Sequence, residues 1–174
     1  MIDLVKESLW KQFGASIDMF KNAIESWPEE QWKADRRIFY MVYHTLFFLE
    51  YYLTFPPKDF APRLPVAVTR KEDAPPGALD DLIPRKEYTR KELLEYLEAC
   101  RTTCKKSIAA LTVDSMAERW IEDPGNPKSR NYSKIELLMY NMRHVQHHAA
   151  QLNLLLRQQI NEAPRWVSRA KDNF

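Results

Sequence analysis

Eleven prolines stand against three glycines in this 174-residue chain, and seven of those prolines fall between residues 54 and 88. Tight β-hairpins and phosphate-cradling loops both draw on glycine. A chain this poor in glycine reads as helical, and a P-loop or dinucleotide site is excluded. The clustered prolines mark one long irregular connection, which is uncommon inside a compact domain unless it is functional or a crossover.

Hydrophobic periodicity supplies the helices. Ile2, Val5, Leu9, Phe13, Ile17, Phe20 and Ile24 recur at steps of three and four, which predicts a one-faced amphipathic helix over about 3–26. Pro28 then opens a short turn through Glu29, Glu30 and Trp32. A second helix, about 36–53, is apolar nearly all round from Ile38 to Leu49 and should be the most buried, and Pro56 and Pro57 end it. The third runs from a capping box, Thr89 with Glu92, to about Leu111. A short helical piece is expected around 116–120. The fourth long helix opens at a second capping box, Ser133 with Glu136, and continues to about Ile160. Four long helices in one domain, residues 1–174, predict an all-α four-helix bundle. The proline-rich crossover would let its second and third helices run parallel.

Composition narrows the function classes. Apolar residues make 45% of the chain and charged residues 29%, a balance suited to one well-folded domain. Lys and Arg total 26 against 24 acids, so there is no basic surplus for nucleic-acid binding. No apolar run approaches the roughly 20 residues that span a bilayer, and the N-terminus lacks a signal pattern; a cytoplasmic protein with no membrane partner is expected. Cys100 and Cys104 share a helical seam with Leu93, Leu97, Ile108 and Leu111, so they read as small core residues. Five tryptophans exceed what one bundle core readily hides, which suggests a homodimer. Arg36, Arg37, Arg63, Arg70, Lys71, Arg85 and Lys86 lie on or near the crossover and could attract an anionic substrate.

Only four histidines occur, and three of them lie within five residues. His144 and His148 are one helical turn apart and flank the stripe of Leu138, Met142, Val145, Ala149, Leu152 and Leu156; His147 falls toward the polar side with Arg143. Spacing thus nominates His144 and His148 as inward-facing. Two such imidazoles can bind one divalent ion, and a catalytic site needs a third protein ligand. The remaining histidine, His44, sits in the most buried helix, where it is either a hydrogen-bonded core residue or that third ligand. The Glu-x-x-His pairs of di-iron bundles are absent. Zn²⁺ and Ni²⁺ are the expected ions at a nitrogen-rich site, with Fe and Mn as further choices. Asn141, Gln151 and Glu50 are candidates to hold the outer ring nitrogens.

The segments His44-Thr-Leu-Phe-Phe-Leu-Glu50 and His144-Val-Gln-His147-His148-Ala-Ala-Gln151, with the Trp27-Pro28-Glu29-Glu30-Gln31-Trp32 turn, resemble the DinB/YfiT-like family of metalloenzymes over essentially the whole chain. The resemblance implies a four-helix bundle with a long crossover and a divalent metal on His44, His144 and His148. His147 matches an extra histidine that is not itself a ligand. Where many members carry Arg-Gly-Gln after the third ligand, this chain has Ala149-Ala150-Gln151. Family members include thiol-dependent transferases and an isomerase, which implies a small-molecule substrate such as a low-molecular-weight thiol, and homodimers are frequent among them. The expected function is a metal-dependent transferase or hydrolase, foremost a thiol S-transferase, with His147 or Tyr51 as proton relays. The alternatives are a non-enzymatic metal-binding bundle with a structural or sensing role, and an interaction protein that binds no metal.

Overall fold

A computed structural model describes residues 1–172 and 174. Its helices are α1 (Ile2–Ser26), α2 (Glu29–Ala34), α3 (Arg36–Leu53), α4 (Arg90–Ala109), α5 (Val113–Ala117) and α6 (Lys134–Ile160). The four long ones match the predicted spans within about two residues. Both predicted capping boxes form, Thr89 with Glu92 ahead of α4 and Ser133 with Glu136 ahead of α6. Each satisfies otherwise unpaired amides at a helix start.

α1 and α3 each pack against both α4 and α6, so the long helices close a ring with α1 and α3 on one diagonal. Lys6 Nζ donates to Ala109 O at 2.9 Å, which joins the start of α1 to the end of α4. At that same end, Leu53, Ala110 and Leu137 line one pocket, so the last turns of α3 and α4 meet the first turn of α6. Helices α3 and α4 therefore run parallel, as the crossover predicts, and α6 runs antiparallel to α3. The core between them includes Trp10, Phe13, Phe20, Leu46, Ile108, Val145 and Leu152, all fully buried. Cys100 and Cys104 lie in this core, and burial pushes both thiols up, which suits small core residues. Trp10, Trp27, Trp32 and Trp120 are buried too, and Trp166 alone of the five is exposed. The tryptophan count therefore supplies no reason for a second copy.

The crossover is held along α3. Phe60 stands edge-on to Phe47 and Tyr51, and the Tyr43 hydroxyl donates to Leu64 O at 3.0 Å. Strand β1 (Val66–Val68) pairs antiparallel with β2 (Leu82–Pro84), and the loop between them returns past Arg37 at Gly77. Gly77 has φ +91°, and a side chain there would meet the Arg37 backbone nitrogen at 3.2 Å, so both conformation and space call for glycine.

A second hairpin corrects the predicted helical piece at 116–120. The helix ends at Ala117, and Trp120 lies on β3 (Arg119–Ile121), paired with β4 (Asn131–Ser133). Its indole donates to Thr54 O at 3.0 Å and seals the end of α3. Neither ladder needs a two-residue glycine turn. The loop between β3 and β4 is shaped by side-chain caps instead, with Asp123 Oδ1 accepting from Gly125 N and Asn126 Oδ1 from Lys128 N. Among the described residues, no helix is long and apolar enough to cross a membrane.

Residues 164–172 run back over α1, where Ala170 N donates to Lys11 O and Arg101 joins Asp172 to Asp18. On α6 the core anchor is Leu152, one turn beyond His148. Leu152→Ala should cost about 2–5 kcal/mol through lost burial and a residual cavity. Urea unfolding followed by circular dichroism checks this, the expected result being a lowered midpoint with unchanged slope.

Candidate metal centre

The continuous helix α3 carries His44 between the core residues Tyr43 and Thr45, and Asp35 caps its start by accepting from Arg37 N. From the opposite side, α6 presents His144 and His148 from successive turns. Packing of α3 on α6 brings the three rings together, with centroids 4.6–5.2 Å apart. His144 Nε2 stands 3.2 Å from His44 Nε2 and 3.1 Å from His148 Nε2.

The outer nitrogens determine what those inner nitrogens are. His44 Nδ1 lies 2.6 Å from Asp80 Oδ2, and His148 Nδ1 lies 2.7 Å from Gln151 Oε1. A carboxylate and an amide oxygen can only accept, so both Nδ1 atoms carry the proton. The two Nε2 atoms then offer bare lone pairs in the neutral rings. His144 Nε2 sits between them and can donate a single proton to one of the two. At least one close nitrogen–nitrogen contact is therefore left without a hydrogen bond, with a lone pair facing a nitrogen that offers it no proton. A divalent ion resolves this conflict. Two ligand nitrogens about 2.0–2.1 Å from one ion stand roughly 2.9–3.4 Å apart at angles from 90° to tetrahedral. The observed separations fall in that range, and the three residues could hold a metal ion.

The surroundings favour neutral rings. Burial, reinforced by the neighbouring histidines, lowers the His144 pKa to about 3 and the His148 pKa to about 4. Phe48 and Tyr52 wall the cluster on one side, with Phe48 against both His44 and His144. On the other side His144 borders an open pocket of about 510 Å³, lined also by Tyr140, Arg143, Gln146, His147 and Ala150.

The three histidines nominated as ligands are thus together, while His147 is exposed on the pocket wall. Tyr51 turns its hydroxyl to Glu122 Oε1 at 3.4 Å and packs edge-on to Phe48, which itself touches His44 and His144. Of the candidate outer partners, Gln151 holds His148. Asn141 instead donates to Leu49 O, and Glu50 accepts from Tyr96 and from Arg63 N. The buried Asn141 Oδ1 and His144 Nδ1, three residues apart on α6, both lack a partner among the described residues. Asp80 is the partner that sequence reasoning missed. Nothing in the chain links residue 80 to residue 44 until the crossover folds back, and the only signal was an acid inside a connection already marked as unusual. The crossover cations are mostly engaged elsewhere: Arg36 with Glu87, Arg37 with Asp35, Arg63 with Glu50, Arg70 with Asp73, and Lys86 with Glu92. The cation beside the histidines is Arg143, which has no ion-pair partner among the described residues.

Residues 84–164 match the DinB family. The matched stretch contains α4, α6, His144 and His148, and stops short of His44 and Asp80. Comparison with curated proteins gave no match.

Neutral buried histidines make the metal-free protein acid-sensitive. Their folded pKa values lie below the unfolded value near 6.5, so the unfolded chain binds more protons as pH falls. Stability is therefore complete above about pH 6.5 and declines on the way down toward pH 4. The expected loss between pH 7 and 5 is roughly 1–3 kcal/mol. Thermal melts of the metal-free protein across that range check it, and the double variant His144→Gln, His148→Gln should flatten the profile.

Proposed function

We propose, from the match of residues 84–164 to the DinB family and from the histidine cluster, that the chain is a DinB-like metal-dependent enzyme whose ion is held by His44, His144 and His148. The observation that carries this reading is the convergence of three Nε2 atoms, two of which, on His44 and His148, present bare lone pairs because their outer nitrogens are hydrogen-bonded to acceptors. With three neutral protein ligands, a bound divalent ion would supply an open Lewis-acid position able to lower the pKa of a coordinated water or thiol. Zn²⁺ or Ni²⁺ is the ion of this reading; both stand high in the order of affinity at a nitrogen-rich site, where Cu²⁺ alone ranks above them.

The chain's own residues account for the rest. Phe48 and Tyr52 exclude water from one side of the histidines, and the pocket beside His144 admits a small molecule from the other. Arg143 and His147 make that pocket wall basic, and no acid lines it, so an anionic substrate is favoured. We assign His147 as the group that takes a proton from the substrate. The reaction class is nucleophilic transfer, foremost S-transfer from a low-molecular-weight thiol in the cytoplasm. A second reading, a structural ion that staples α3 to α6, is favoured by ligands drawn from two packed helices.

Incubating metal-loaded protein with free bacillithiol and chlorodinitrobenzene separates the two. The enzymatic reading predicts thioether formation above the metal-free background, with His147→Ala lowering the rate about 10²-fold or more while metal content is kept. No reaction above background, together with a large fall in melting temperature on chelation, would favour the structural reading.

A further inference from the structure

Resting on the reading that His44, His144 and His148 hold a divalent ion, we propose that Asp80 is a positioning residue that makes the proline-rich crossover part of the metal centre. Ion binding and docking of the crossover on α3 then strengthen one another.

The carboxylate of Asp80 is held at both ends. Its Oδ2 accepts a hydrogen bond from His44 Nδ1 at 2.6 Å, and its Oδ1 accepts from Leu82 N at 3.0 Å. Leu82 opens β2, which is zipped to β1 through Val66, Ala67 and Val68. The acid is therefore fixed to the hairpin backbone and cannot follow the imidazole if the hairpin moves. A carboxylate behind a ligating imidazole fixes the tautomer, orients the ring and raises its basicity. Asp80 also brings one negative charge toward three neutral ligands, which partly offsets the charge of a divalent ion.

Among the described residues, His144 and His148 have no such link to the crossover. His148 is oriented by Gln151, three residues on in the same helix, and His144 Nδ1 has no partner among the described residues. The Asp80–His44 contact thus couples the hairpin to the centre. Coupling between two binding events is reciprocal: the factor by which docked Asp80 raises ion affinity is the factor by which the ion favours docking. Removing such an outer partner typically weakens metal affinity 10–100-fold. The crossover has independent anchors in Tyr43 to Leu64 O, Tyr88 to Pro65 O and Phe60 against Phe47, so loss of Asp80 leaves the fold in place.

The test pairs a Zn²⁺ competition titration with hydrogen exchange of the hairpin amides at 66–69, 82, 83 and 85. In the wild-type chain Zn²⁺ should slow exchange of those amides about 10–100-fold, a measurement that needs no variant. Asp80→Asn should raise the Zn²⁺ dissociation constant by a similar factor and abolish the protection, whereas Gln151→Ala should weaken binding and keep it. If wild-type protein binds Zn²⁺ with no change in hairpin exchange, or Asp80→Asn binds as tightly as wild type, the coupling is overturned. If wild-type protein binds no ion at all, the metal reading itself fails, and this inference falls with it.

Discussion

His144 Nε2 stands 3.2 Å from His44 Nε2 and 3.1 Å from His148 Nε2, and the outer nitrogens of His44 and His148 are protonated and bonded outward, so the cluster is in electrostatic conflict unless a cation lies between the rings. Hydrogen bonding among the three cannot remove it, because one proton on His144 Nε2 serves only one neighbour. Protonation would relieve the lone pairs but charges buried rings beside one another, which burial and mutual repulsion resist. An apolar helix pair would have no use for such an arrangement. The rest of the structure is organised around keeping α3 and α6 close enough to maintain it.

That closeness comes from ordinary packing. Leu46 on α3 and Val145, Ala149 and Leu152 on α6 are fully buried, so the histidines ride on helices whose separation is set by a dense core. Core packing supplies the positions, and polar partners supply the orientation. These partners differ in kind. His44 leans on a carboxylate from a distant loop, His148 on a neutral amide of its own helix, and His144 faces the pocket that a substrate would enter.

The helices were legible from sequence because their signals are local. Seven apolar residues at steps of three and four define α1, and Thr89–Glu92 and Ser133–Glu136 mark two helix starts within a residue. The i, i+4 spacing of His144 and His148 likewise needs only α6 to put both on one side. His44 was open between core residue and third ligand until the resemblance favoured the latter, since the histidines it meets lie 100 residues or more away in sequence. Asp80 was illegible for a related reason: residues 54–88 have no periodicity from which to derive where a side chain ends up. The two small hairpins were missed because they close through long loops, one capped by Asp123 and Asn126, where a glycine turn would have been the usual signal. The crossover cations misled in another way. Each was visible as charge, but the acids that neutralise most of them became apparent only in the fold.

The central claim is that His44, His144 and His148 form one metal centre. Elemental analysis and anomalous diffraction from protein purified without an affinity tag address it most directly. The account predicts one divalent ion per chain, about 2.0–2.1 Å from the Nε2 atoms of all three histidines. Protein that carries no stoichiometric ion, or an ion bound away from these three nitrogens, would contradict it.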